Sequence, residues 1–248
     1  MGKTHEALER AEKEFQENVL EPQHDSYNAL VIKRPGKRSK QTPADRFQEI
    51  KTKLDTSFPL GSVRTIVFTG TAHGAGCTTT AAGFANTMAQ YCRLNVVLID
   101  ANIRSPRLHE VFSFEYNQGL TDLLTNEEVK ISLFKKRGHG NLYLIPCGKN
   151  AFLPQAIFES TRFVKVLKQM REKFDYVILN APPVNSYAET KIIGKKVDGV
   201  VLVIESGKTR KQVAIKAKQE LENAGAKVLG VILNRRKQYI PDWIYKRL

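Results

Sequence analysis

With 248 residues, 42% of them apolar and charge interspersed between the apolar runs, the chain has the make-up of one globular domain carrying a short arm or tail. No apolar run approaches the roughly 20 residues a membrane helix needs, residues 1–15 lack the apolar stretch of a secretory signal, and an odd, sparse set of cysteines at 77, 92 and 147 fits a reducing compartment. A net charge of +14 points to anionic partners, namely nucleic acid, lipid headgroups or acidic protein faces, and a solvated basic surface accounts for it equally well.

Thr4 to Phe15 reads as a helix whose narrow stripe of Leu8, Ala11 and Phe15 packs on the main domain or docks a partner. Gln23 to Asn28 reads as coil. The run Lys33-Arg34-Pro35-Gly36-Lys37-Arg38-Ser39-Lys40 is an exposed basic linker able to rest on an anionic leaflet. It has no aromatics on which single-stranded nucleic acid would stack. Thr42-Pro43-Ala44-Asp45 is a helix start, with Thr42 as cap, Pro43 in the first position and Asp45 favouring the dipole. That helix buries Phe47, Ile50 and Leu54 and ends at Pro59-Leu60-Gly61. The chain thus divides into an N-terminal helix and linker (1–41), a main domain (42–234) and a basic aromatic tail (235–248).

Within the main domain, Thr65 to Phe68 reads as the first strand, and a small-residue helix follows over Ala81 to Met88. Asn95 to Asp100 is the second strand, Asn141 to Pro146 the third, Asp175 to Asn180 the fourth, Gly199 to Ile204 the fifth and Val228 to Asn234 the sixth. Helices fall near Gly119 to Leu124, Ser160 to Lys173, Ala188 to Lys196 and Thr209 to Ala224. Continuous apolar strands alternating with helices predict an α/β fold: a doubly wound, mostly parallel sheet with helices on both faces.

The stretch from Phe68 to Thr80 organises the rest. Strand, glycine-rich turn and helix is the layout of a phosphate-binding loop, in which backbone N–H groups and a helix N-terminus face an anion. The pattern G-x-x-x-x-G-K-[ST] adds a lysine for the outer phosphates and a hydroxyl for magnesium. Glycines stand at 70, 74 and 76 and the hydroxyl at Thr78, but Cys77 takes the lysine position.

Three landmarks therefore fall at strand ends: Gly74-Ala75-Gly76-Cys77-Thr78-Thr79, Asp100-Ala101-Asn102-Ile103-Arg104 and Asn180-Ala181-Pro182-Pro183. Together they resemble the bacterial tyrosine kinases that work with exopolysaccharide co-polymerases, a family with a Walker A loop, a motif of apolar residues then D-x-D-x-R, and a Walker B of apolar residues then D-x-x-P. The likeness runs from about residue 42 to the end, including Tyr239-Ile240-Pro241-Asp242-Trp243-Ile244-Tyr245, and again over Gly2 to Leu8. It implies the P-loop NTPase type of fold. Set against the family, the lysine is Cys77 and two aspartates are Asn102 and Asn180, while Asp100 and Thr78 keep their types. The E-x-x-R-x-x-R of the family's ring-forming helix is reduced to Asp45, Gln48 and Lys51. In the tail, only Tyr239 and Tyr245 correspond to the family's phosphorylated tyrosine cluster.

Phosphoryl transfer is mostly positioning and charge stabilisation, and one well-placed charge is worth on the order of 100- to 1000-fold in rate. The expectation is therefore a protein that is not an enzyme: a catalytically inactive relative serving as a scaffold or regulator of exopolysaccharide assembly. Its vestigial nucleotide site comprises Gly74, Ala75, Gly76, Cys77, Thr78, Thr79 and Asn234. No cofactor is required, ATP or ADP binds weakly, and no metal site is expected, with little use of magnesium. The resemblance implies a cytoplasmic chain at the inner membrane, partnered by the cytoplasmic face of a co-polymerase, by an active kinase relative and by anionic lipid; nucleic acid is disfavoured. Two alternatives stand: an active autokinase or ATPase recruiting Lys191 or Arg104 as substitute cations, and a DNA-binding partitioning protein. Individual residues carry double readings. Cys77 is a redox-sensitive thiol or a space-filler, His73 an anion contact or a solvated loop residue, and Asn234 an adenine contact or a helix- or turn-capping residue.

Overall fold

The computed structural model describes residues 42–59, 61–126, 128–129, 133–135, 138–149 and 154–235. The N-terminal helix, its basic linker and the tail with Tyr239, Trp243 and Tyr245 lie outside them.

Helix α1 (Pro43–Ser57) starts as its sequence dictates. Thr42 Oγ1 accepts from the Asp45 N–H at 3.2 Å, and the Asp45 carboxylate accepts from the Thr42 N–H at 2.6 Å, ahead of Pro43. Ile50 and Leu54 are buried, and Phe47 lies edge-on to Phe84. Lys51, in the ring-helix register, is paired with Asp55 one turn on. There follow β1 (Thr65–Gly70), α2 (Cys77–Gln90), β2 (Val96–Asp100), α3 (Leu108–Phe112), α4 (Leu120–Thr125), β3 (Phe134–Lys135) and β4 (Leu142–Ile145). After these come α5 (Pro154–Glu159), α6 (Thr161–Lys173), β5 (Tyr176–Asn180), α7 (Glu189–Gly194), β6 (Gly199–Glu205), α8 (Lys211–Asn223) and β7 (Val228–Asn234).

The strands form one sheet in the order β3-β4-β2-β5-β1-β6-β7. Every pairing is parallel except that of β3 with β4. The doubly wound, mostly parallel sheet is as expected, with one strand more than the six read from sequence. The addition, β3, pairs only Phe134 with Leu144 and Lys135 with Tyr143, too short a segment to show any period. The short helices α3 and α5 escape for the same reason.

All residues of β1, β2 and β5 are buried, which is what continuous apolar runs require of strands covered on both faces. Alternation divides them between two cores. Ile66, Phe68, Leu98 and Ile178 face α1 and α2, where Phe68 and Tyr176 pack against Phe84. Val67, Val97, Ile99 and Leu179 face the other way, with Phe158, Phe163, Met170 and Leu221. The strand order reverses at β1, which lies between β5 and β6. The loops leaving β1, β2, β5 and β6 therefore meet at one sheet edge, the carboxyl ends of the strands, where open α/β sheets bind their ligands.

Candidate functional site

The loop from Thr71 to Gly76 joins β1 to α2. Gly74 and Gly76 have φ of 84° and 83°, a left-handed backbone that bends the chain into a cradle. Gly76 is doubly constrained: a Cβ there would lie 2.2 Å from Asn234 Nδ2. That same Nδ2 donates to the Ala75 carbonyl at 2.9 Å, and Asn234 Oδ1 accepts from the Arg235 N–H at 2.9 Å. Asn234, at the end of β7 and buried, thus braces the loop from behind rather than capping a helix. Thr78 is half-buried and Thr79 exposed on the first turn of α2, where backbone N–H groups have no partner within the helix.

Beneath the loop, Cys77 Sγ lies 3.5 Å from Asn180 Oδ1, and Asn180 Nδ2 donates to Asp100 Oδ1 at 3.0 Å. Asp100 Oδ1 also accepts from the Asn102 N–H at 3.2 Å, and its Oδ2 accepts from the N–H groups of Arg107 and Leu108, both at 3.0 Å. Asn102 turns its own side chain to the Ser105 N–H. Burial pushes the Asp100 carboxyl above its usual range, opposed by the backbone bonds from Leu108 and the amide of Asn180. Burial, and then the charge of Asp100, push the Cys77 thiol far above the ordinary thiol range. Both effects oppose the thiolate, which favours the space-filling reading of Cys77 over the redox one.

The three strand-end landmarks are therefore brought together, but as a closed hydrogen-bonded chain. The loop, its free N–H groups and Thr78 fit the phosphate tail of a nucleotide. The carboxylate set does not fit a protein-held magnesium ion: both oxygens of Asp100 are committed to donors and Asn180 is neutral. Among the described residues no cluster of three metal-ligating side chains occurs.

The substitute cations suggested by sequence are engaged elsewhere. Arg104 donates through Nε and Nη2 to Glu189 Oε1 at 2.9 and 2.6 Å, and Lys191 pairs with Glu220 of α8 at 3.0 Å. Other cations flank the loop. A cleft of about 500 Å³ beside it is lined by His73, Glu205, Lys208, Arg210 and Arg235. Lys208 and Arg235 both approach Glu205, at 3.0 and 3.4 Å, and the Lys208 hydrogen bond holds that carboxyl below its usual range. Sequence reasoning missed Lys208 and Arg210, although both follow the carboxyl end of β6, where the strand-end rule would have pointed. His73 is exposed, and its ring meets Tyr187 edge-on with Nε2 at 3.4 Å from the hydroxyl.

Comparison with known proteins gives the site its context. Residues 63–213 match the family model described as an AAA domain. Tyrosine-protein kinase YwqD of Bacillus subtilis is 31% identical over 85% of this chain and 86% of its own length. The putative tyrosine-protein kinase CapB of Staphylococcus aureus is 27% identical over 80% of this chain and 86% of its own. The crystal structure of the chimerical protein CapA2B2 superposes with a TM-score of 0.75, at 28% identity, over 82% of this chain and 88% of that one. These relatives correct the expectation of a non-enzyme: they are named tyrosine-protein kinases. With more than half its length inside the AAA-domain model and most of it aligned to YwqD, the chain belongs to the bacterial tyrosine-protein kinases.

Proposed function

We propose that this chain is an ATP-dependent tyrosine kinase of attenuated rate. The observation that carries the reading is the intact cradle: two left-handed glycines, a brace from Asn234 to the Ala75 carbonyl, and an open helix N-terminus. Backbone N–H groups and Thr78 hold the phosphate tail. Arg210 in the adjoining cleft, more than Lys208 and Arg235, which share Glu205, offsets part of its charge in place of a lysine within the loop. Cys77, Asn102 and Asn180 leave the reacting phosphoryl group short of charge, which lowers rate and nucleotide affinity together. ATP therefore binds weakly, and magnesium, for which the protein offers no charged cage, changes the affinity little. Partnership with the cytoplasmic face of a membrane co-polymerase and residence at the inner membrane are part of the same reading, supported by the likeness to CapB and to the CapA2B2 chimera. Among the described residues no helix is long and apolar enough to cross a membrane.

The test is tyrosine phosphorylation with labelled magnesium-ATP, comparing the natural chain with the triple variant Cys77→Lys, Asn102→Asp, Asn180→Asp. Slow but real phosphotyrosine formation is expected, about 100-fold or more below the triple variant. Absence of phosphotyrosine in the natural chain, under conditions where the triple variant is active, would refute the proposal. Calorimetry with and without magnesium checks the affinity claim.

A further inference from the structure

The positive charge of the domain is unevenly placed. Residues 42–126 balance seven Lys and Arg against seven Asp and Glu, whereas residues 154–227 carry fourteen against eight. The first span supplies α1, α2 and α3, which cover one face of the sheet. The second supplies α5 to α8, which cover the other through Phe158, Phe163, Met170, Ile193 and Leu221. This second layer is continuous: Lys191 of α7 pairs with Glu220 of α8, and Lys196, just past α7, lies over the Phe163 ring of α6. On its outer side Lys165, Lys168 and Lys195 are exposed, and among the described residues none of the three has an acidic partner. Val164, Val213 and Ile215, three of the five large apolar side chains left exposed among the described residues, stand on the same layer.

Close-set phosphates or carboxylates on a nucleic acid or an acidic protein are best met by arginine forks. The forks of α6 are spent inside the chain, Arg162 on the carbonyls of Leu123 and Asn126 and Arg171 on Asp198. What faces outward is lysine, a point charge on a long stem, with aliphatic groups between. A bilayer surface takes both, the ammonium groups at its anionic headgroups and the short apolar groups at the acyl boundary. Resting on the inner-membrane residence proposed above and not on catalysis, we infer that the layer of α6, α7 and α8 is a docking face for an anionic lipid bilayer. Docked this way, the sheet lies parallel to the leaflet. Its carboxyl edge, with the phosphate-binding loop and the cleft at Lys208 and Arg210, then opens sideways along the membrane instead of into it.

The full chain is mixed with vesicles of phosphatidylglycerol and phosphatidylcholine in equal parts, its lysines are acetylated in a brief pulse, and the products are mapped by mass spectrometry. Vesicles should slow acetylation of Lys165, Lys168 and Lys195 several-fold and leave Lys53, exposed on α1 across the sheet, unchanged. Co-sedimentation reads the affinity. The triple change Lys165→Gln, Lys168→Gln, Lys195→Gln should weaken it about 100-fold, about fivefold for each lysine, and Ile215→Ser should weaken it several-fold. Raising salt from about 0.1 M to about 1 M, which cuts the Debye length from about 10 Å to about 3 Å, should release the chain. Protection confined to Lys33, Lys37 and Lys40 of the linker overturns the docking face and leaves residence at the membrane standing. Equal protection of Lys53 overturns the face as well. So does protection of the three lysines by duplex DNA that vesicles do not reproduce. A chain that stays free of the vesicles overturns the face and leaves membrane residence to a protein partner alone.

Discussion

Asn180→Asp is the most informative single change, because it restores a family-type carboxylate in a place whose surroundings are fully described. Asn180 and Asp100 are 0% and 1% exposed, and the bond between them spans 3.0 Å. Two ionised carboxylates at that separation repel by about 5 kcal/mol at an effective dielectric near 20. Keeping one proton on the pair at pH 7 costs about 4 kcal/mol, reckoned from an ordinary aspartate value near 3.9. The second route is cheaper and restores a hydrogen bond, so the variant should lose about 4 kcal/mol at pH 7 and melt about 10 °C lower. The pair's folded pKa is raised above the unfolded value, so the folded variant holds one more proton than its unfolded chain. Its stability relative to the natural protein therefore rises as pH falls, by about 1.4 kcal/mol per unit, and the deficit is nearly gone close to pH 4. The dianionic pair is also a site for a hard cation, so millimolar magnesium should raise the melting temperature of the variant and leave the natural chain unchanged. Thermal denaturation at pH 5 and pH 7, with and without magnesium, measures all of this. A variant as stable as the natural protein at both pH values without metal would refute the closed chain of Cys77, Asn180 and Asp100.

Gly76→Ala forces a side chain into left-handed backbone and onto Asn234 Nδ2, and should cost about 2 kcal/mol or more in chemical denaturation while weakening ATP binding. Arg104→Ala strands the Glu189 carboxylate, whose side chain is 2% exposed, and should destabilise by about 3 kcal/mol; Arg104→Lys should recover only part, because it cannot reproduce the fork. Cys77 should react with iodoacetamide at pH 8 at least about 10-fold more slowly than the equally half-buried Cys92, read by peptide mass spectrometry, since desolvation and Asp100 oppose its thiolate whereas Lys51 favours that of Cys92.

Much of the architecture was legible because its signals are local. The capping sequence at Thr42, the apolar runs ending in Asp100 and Asn180, and the glycines at 74 and 76 each impose their own backbone geometry, and the sheet assembles them at one edge. The two-residue β3 was not legible, since nothing in Phe134-Lys135 differs from a loop until Leu144 and Tyr143 arrive beside it. The contact of His73 with Tyr187 spans 114 positions and follows no periodicity, so only the fold could reveal it. Arg104 and Lys191 misled for a related reason. Their proximity to the landmarks along the chain was real, but Glu189 and Glu220, which claim them, are fixed by tertiary packing.

The substitutions at 77 and 180 make physical sense as a set. A lysine at 77 would bring an ammonium against the same buried space in which Asp100 is already desolvated, and a second carboxylate at 180 would demand a cation in reply. With cysteine and asparagine instead, the loop floor carries a single carboxylate, satisfied by backbone N–H groups and one amide. Restoring either charge alone therefore breaks a balance that both together would re-establish. Cys77→Lys and Asn180→Asp should accordingly couple, the double variant being more stable than the sum of the single losses, as expected for groups in one hydrogen-bonded network. On this reading the loop floor keeps one carboxylate and balances it by hydrogen bonds rather than by a cation. The proposed attenuation follows from the same exchange: less stabilisation of charge in the transferring phosphoryl group, with the receiving shape kept.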